Sequence, residues 1–253
     1  MSPALDVTGA AARLGGRLAL DGASLRVSPG ELVGVIGANG SGKTTLLRAA
    51  LGLQALEAGQ VRIGGRAVAT LSDPERARLA GYLPQERRVA WNLSALSVAS
   101  LGAVLLPPAR ALEAAREALG RVGLAGLEDR GVLDMSGGER ARVLLARLLA
   151  TGAPLLAADE PAAGLDPDAQ LLVMDILRRE ARRGAAVIVS LHDLTLAARF
   201  CDRLTALKAG RVVAEGTPGE VLSPSGLAAV FGLDGALVQT AHGPVAALER
   251  RDP

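Results

Sequence analysis

The eight residues Gly37-Ala38-Asn39-Gly40-Ser41-Gly42-Lys43-Thr44 fit the pattern G-x-x-x-x-G-K-[ST], and no other stretch constrains the fold as strongly. Glu31 to Ile36 ahead of them reads as a short buried strand, and Lys43 to Leu51 behind them as an amphipathic helix. A strand that feeds a glycine turn opening a helix begins an α/β unit. Gly37, Gly40 and Gly42 let successive backbone N–H groups turn inward, with the positive end of the helix dipole beneath them. Such a loop cradles phosphates. Lys43 reaches the β- and γ-phosphates, and the Thr44 hydroxyl is placed to ligate Mg²⁺, so a nucleoside triphosphate is the expected ligand. Ala38, Asn39, Ser41 and Thr45 belong to the same nucleotide-binding segment.

At 253 residues the chain has material for one large α/β domain or two small ones. Aromatic residues make up only 2%, which points to a core packed from aliphatic side chains. With 28 basic against 26 acidic residues, charge gives no reason to expect nucleic acid as a partner. The single cysteine, Cys201, excludes an intramolecular disulfide framework and multi-cysteine metal sites, and it reads as inert. No apolar run reaches the roughly 18 residues that span a bilayer, and the first residues lack a targeting pattern. A soluble, cytoplasmic chain is expected.

Organisation along the chain supports the same class. Between Leu5 and Arg66, short runs such as Leu18–Leu20, Ala23–Val27 and Gln60–Ile63 predict antiparallel strands around the phosphate loop. Gly81–Leu83 predicts a strand closed by Pro84-Gln85, after which residues 86–150 lose strand periodicity and read as a helical insert. Strand and helix then alternate through Pro154–Asp159, a helix over Asp168 to Arg183, and the strand Ala185–Ser190, the pattern of a parallel sheet. The tail beyond Pro224 is compositionally ordinary.

Two further motifs carry chemistry. An apolar strand ending in Asp159-Glu160 gives adjacent carboxylates separate tasks behind a phosphate loop: Asp159 to hold Mg²⁺, Glu160 to orient or deprotonate the water that attacks the γ-phosphate. Ser136-Gly137-Gly138 leads into the helix Arg140–Leu149, with Ser136 as N-cap and two glycines leaving the first N–H groups uncovered.

This order resembles the motif set of the ATP-binding cassette (ABC) ATPases over roughly residues 5 to 222. Ser136-Gly137-Gly138 resembles their signature sequence, Gln85 their Q-loop glutamine, Ala163–Asp166 their D-loop, and His192 their switch histidine. The resemblance implies an α/β fold with a phosphate-loop, RecA-like core, an antiparallel β subdomain and a helical insert. It implies one cassette over 1–222, with catalytic core 1–85 and 151–222, helical subdomain 86–150, and a C-terminal extension over 223–253. Two cassettes, as a homodimer or mixed pair, would close head to tail around two ATP molecules with Mg²⁺. Ser136, Gly137, Gly138 and Asp166 would then meet nucleotide across the interface, Gln85 the Mg²⁺ and attacking water, and His192 the γ-phosphate and the Glu160–water pair.

Departures from the family pattern are few. Met135 and Glu139 replace the usual Leu and Gln around the signature, and Leu14 stands where the family places an aromatic that stacks on adenine. A single cassette without tandem repeat or long coiled-coil arm resembles the separate ATPase subunit of a transporter, peripheral on the inner face of the cell membrane. Its partners would be integral permease subunits and, indirectly, a substrate-binding protein. Tyr82–Ser94 and Val230–Leu233 look like the importers of iron complexes, haem and cobalamin. Another importer or exporter subunit, or a soluble cassette ATPase acting on nucleic acid or protein, is the alternative. Trp91 is expected either to anchor a membrane partner's helix or to pack within the insert, Tyr82 and Phe231 to lie in the core, and His242 on the surface.

Overall fold

A computed structural model of the protein describes residues 3–86 and 89–250. Arg87 and Arg88, within the Tyr82–Ser94 segment singled out above, lie outside the described residues. Strands β1 (Leu5–Leu14) and β2 (Arg17–Val27) form an antiparallel pair joined by Gly15-Gly16. Their φ values of +56° and +79° are what a two-residue hairpin turn demands and what glycine adopts freely. The runs expected as separate strands at Leu18–Leu20 and Ala23–Val27 are parts of this one β2, because register shifts break its alternation without ending its pairing.

Strand β3 (Leu32–Ile36) feeds the phosphate loop, which opens α1 (Lys43–Ala50). β4 (Ala58–Ile63) and β5 (Arg66–Ala67) complete an antiparallel sheet ordered β2-β1-β4-β5. α2 (Asp73–Leu79) leads into β6 (Ala80–Leu83). The insert follows as α3 (Ala95–Ser100), α4 (Pro108–Arg121) and α5 (Gly137–Ala150), with Pro108 at the first helical position of α4, where a missing N–H costs nothing.

The chain then alternates through β7 (Leu155–Asp159), α6 (Pro167–Arg182), β8 (Ala186–Ser190), α7 (Leu194–Phe200), β9 (Arg203–Lys208) and β10 (Arg211–Gly216). The second sheet runs β10-β9-β3-β8-β7-β6, parallel throughout except for the β9–β10 hairpin. Every residue of β3, β7 and β8 is buried, as expected of strands covered on both faces. Val33, Val35, Leu155, Ala157 and Ile188 pack towards α1 and the antiparallel sheet, while Leu32, Ile36, Leu156, Val187 and Val189 pack towards the helical insert. That two-residue alternation is the pleat of each strand serving two cores.

A buried ion pair ties insert to core: the Glu180 carboxylate on α6, only 3% exposed, accepts from Arg121 Nε of α4 at 3.1 Å and from Arg183 Nη1 at 2.8 Å. The tail forms α8 (Pro218–Val221), α9 (Pro224–Phe231) and the hairpin of β11 (Leu233–Thr240) with β12 (Gly243–Arg250). Leu222, Leu227 and Val230 enter the same core as the sheet and the insert, so packing is continuous across residue 222. Among the described residues no single helix is long and apolar enough to cross a membrane.

Candidate functional site

The strand order places the chemistry. Reading across β3-β8-β7-β6, the C-terminal ends carry in turn the phosphate loop, His192, the Asp159-Glu160 pair and Gln85, each about 5 Å from the next strand. Residues as far apart in sequence as Gly37 and His192 are thereby brought to one edge, the carboxyl end of a parallel sheet where α/β proteins bind ligands. A cavity of about 940 Å³ opens there, and its wall includes Asn39, Gly40, Gly42, Lys43, Thr44, Thr45, Gln85, Glu160 and His192, with Leu14 at the hairpin side.

Gly42 is the N-cap of α1 at φ +108°, and a Cβ there would lie 2.5 Å from the Ala19 carbonyl oxygen, so no other residue fits between loop and hairpin. No acidic residue occupies the first turn of α1, which leaves its positive end to an external anion. Lys43 is buried, its Nζ donating to the Gly37 carbonyl at 2.9 Å and the Ala38 carbonyl at 3.2 Å. Burial pushes its ammonium below the usual lysine value, and the charges of Glu160 and Asp159 push it back up. A phosphate would offer charged oxygens in place of those carbonyls, and charge-assisted bonds are about twice as strong.

Glu160 is the most constrained side chain of the site. It sits in the left-handed region at φ +48°, its Oε2 accepts from Gln85 Nε2 at 2.8 Å, and its Oε1 meets His192 Nε2. Its backbone N–H donates to Ser190 Oγ at 2.8 Å, and the same hydroxyl donates to Asp159 Oδ1. Ser190, fully buried, thus links the Asp159 carboxylate to the Glu160 backbone, a role the sequence reading missed. The available signal was a polar residue ending the apolar strand β8, and its register partner on β7 is Asp159 itself.

Tyr82, expected in the core, is half-buried with its hydroxyl 3.4 Å from Asp159 Oδ2. Burial, with Asp159 adding to it, pushes the phenol up to about 12. Thr44, Gln85 and Asp159 offer hydroxyl, carboxamide and carboxylate oxygens, a hard donor set of the kind Mg²⁺ takes. Trp91 is 74% exposed and so packs little within the insert, Phe231 is half-buried against the main core, and His242 is exposed. Cys201 is buried, and burial pushes its thiol up, which suits an inert residue.

Ser136, Gly137, Gly138 and Asp166 do not line this cavity. Ser136 caps α5, accepting from Glu139 N at 3.2 Å while Glu139 Oε2 accepts from Ser136 N at 2.8 Å, a reciprocal capping box that the Glu in place of Gln preserves. These backbone bonds hold the Glu139 carboxyl below its usual range. Ser136 and Gly137 remain exposed. Asp166 caps α6, accepting from Ala169 N at 2.9 Å.

Comparison with known proteins points one way. Residues 20–163 match the ABC transporter family profile. The chain is 44% identical over 222 residues to the hemin import ATP-binding protein HmuV of Streptomyces coelicolor, covering 86% of this chain and 79% of that protein. It is 40% identical over 232 residues to the cobalamin import ATP-binding protein BtuD of Halobacterium salinarum, covering 90% of this chain and 58% of that protein. Among solved structures, a dimeric ATP-binding cassette in a post-hydrolysis state with ADP and Pi superposes with a TM-score of 0.76 at 27% identity, over 85% of this chain and 98% of that one. A putative metal-chelate type ABC transporter in an inward-facing conformation shares the fold at a TM-score of 0.84 and 22% identity, over 98% of this chain and 97% of that one.

Proposed function

The chain belongs to the ABC transporter family as an ATP-binding, ATP-hydrolysing subunit of an importer, and from that premise we propose that two copies close head to tail around two ATP molecules to drive import of a metal-bearing macrocycle. The observation that carries the proposal is the fixed Glu160: Gln85, His192 and Ser190 hold its carboxylate and backbone on the wall that Lys43 and α1 open to phosphate.

Lys43 and the N–H groups of the loop bind the phosphates. Glu160 takes a proton from a water as its oxygen attacks the γ-phosphorus in line, the bond to the β-phosphate oxygen breaks, and ADP and inorganic phosphate leave. Gln85 and His192 keep the carboxylate aimed at that water. Thr44, Gln85 and Asp159 would hold Mg²⁺, which when bound neutralises charge on the phosphates.

Ser136, Gly137, Gly138 and Asp166 act on the partner's nucleotide. The support is that the capped, glycine-bared start of α5 is exposed and lies outside the chain's own cavity. Closure is favoured because ATP is contacted from both sides only in the closed pair, which is the differential affinity that any ligand-driven switch requires. The movement reaches integral permease subunits through Gln85 and the helical insert, with the chain peripheral on the cytoplasmic side. Hemin and cobalamin, named for the relatives above, support this cargo class.

The test is a pull-down of tagged Glu160→Gln protein from detergent-solubilised membranes with ATP present, with partners identified by mass spectrometry. A multi-span permease is the expected partner. Recovery of soluble proteins or nucleic acid alone would overturn the transport reading.

A further inference from the structure

The chain has one Trp, one Tyr and two Phe, and none of them lines the nucleotide cavity. The cavity's hairpin side is instead formed by Leu14, Arg17, Leu18 and Ala19. Leu14 ends β1 and Arg17 begins β2, and the two are direct register partners across the Gly15-Gly16 turn. Residues directly opposite in an antiparallel pair share one face, with Cβ atoms about 5 Å apart. An apolar side chain and a guanidinium therefore stand side by side at the cavity mouth.

Neither is used by the fold. Leu14 is 56% exposed, and Arg17 makes no hydrogen bond or ion pair with any described residue. Its neighbour Arg13 is engaged, donating to the Gly16 carbonyl at 2.9 Å and pairing with Glu57 at 3.3 Å. The same hairpin meets the phosphate loop directly, since the Ala19 carbonyl closes on Gly42 and both residues line the cavity. Any ligand whose phosphates occupy the loop thus presents its far end to this hairpin.

We propose that Arg17 is the residue that holds the nucleobase: its guanidinium plane stacks on the base while Leu14 supplies apolar contact beside it. This rests on the nucleotide reading of the cavity given above. A guanidinium is planar, weakly hydrated and stacks on π-systems, so it substitutes for a ring in a way that a lysine cannot. Stacking of this kind tolerates any base because every base has a π-face. ATP and GTP accordingly bind with similar affinity.

Titration calorimetry with ATP, GTP and inorganic tripolyphosphate tests the assignment. Arg17→Ala is expected to weaken ATP and GTP about tenfold, in line with the loss of one stacked base, and to leave tripolyphosphate unchanged. Arg17→Lys should recover little of that loss, and Leu14→Tyr placed on Arg17→Ala should restore ATP binding. Equal losses for ATP and tripolyphosphate would mean that Arg17 holds phosphate, and no loss for either would mean that it is a solvated turn residue; each result overturns the proposal. Lys43→Ala, measured in parallel, reports separately on the cavity: if it weakens neither ligand, the nucleotide reading itself fails.

Discussion

Ser190→Ala removes one oxygen atom and strands two buried groups, the N–H of Glu160 and one lone pair of the Asp159 carboxylate. A buried donor left unpaired costs about 1–3 kcal/mol, and a bond to a charged group is worth about 1.5–3 kcal/mol. Because the two share one hydroxyl and Asp159 still faces Tyr82, the losses are not fully additive, and about 2–4 kcal/mol of stability is the expected effect. In a chain of this size that lowers the thermal midpoint by about 5–12 °C. Thr205→Val provides the matched control. Thr205 is equally buried, in β9 of the same sheet, but its hydroxyl has no hydrogen-bond partner among the described residues, so replacing it with a methyl should be neutral or stabilising by about 1 kcal/mol. Differential scanning fluorimetry of both variants, followed by ATPase assays, separates the effects. Ser190→Ala should also lose about tenfold in turnover at unchanged ATP affinity, since it frees the left-handed backbone of Glu160. Equal midpoint shifts for the two variants would refute the argument that Ser190 couples the Asp159 carboxylate to the Glu160 backbone.

The remaining expectations concern other parts of the molecule. Lys43→Ala should weaken ATP binding about tenfold to a hundredfold through lost charge-assisted phosphate bonds, read by calorimetry; normal affinity would remove Lys43 from the binding set. Glu180→Ala leaves Arg121 and Arg183 facing each other without their shared carboxylate and should cost about 2–3 kcal/mol in urea unfolding, less than a fully buried pair because both arginines are partly exposed. Cys201, whose thiol burial holds above its usual value, should resist iodoacetamide at pH 8.5 until the protein is unfolded; rapid labelling of native protein, seen by mass spectrometry, would contradict its placement in the core.

What could be read from the sequence divides by distance along the chain. The phosphate loop, the capped start of α5 and the Asp159-Glu160 strand end are local patterns, in which composition and spacing alone carry the physics. Ser190 was invisible in that sense, because its meaning arises from pairing with Asp159, 31 residues away in sequence. Tyr82 looked like one more core ring, and only the packing of β6 against β7 turns its hydroxyl to the carboxylate. Arg17 became conspicuous once the hairpin set it opposite Leu14. The C-terminal hairpin escaped notice because Ala and Gly blur the alternation of β11 and β12, and its place is set by contacts with α7, including Ala246 N donating to Thr195 Oγ1 at 3.1 Å.

Light scattering of purified Glu160→Gln protein with ATP or ADP, with phosphate release followed in the same samples, tests the paired-cassette ATPase most directly. The account predicts a particle of doubled mass with ATP, the single-chain mass with ADP, and turnover reduced by about 10²-fold or more. Hydrolysis at the parent rate, or a mass that ignores ATP, would contradict it.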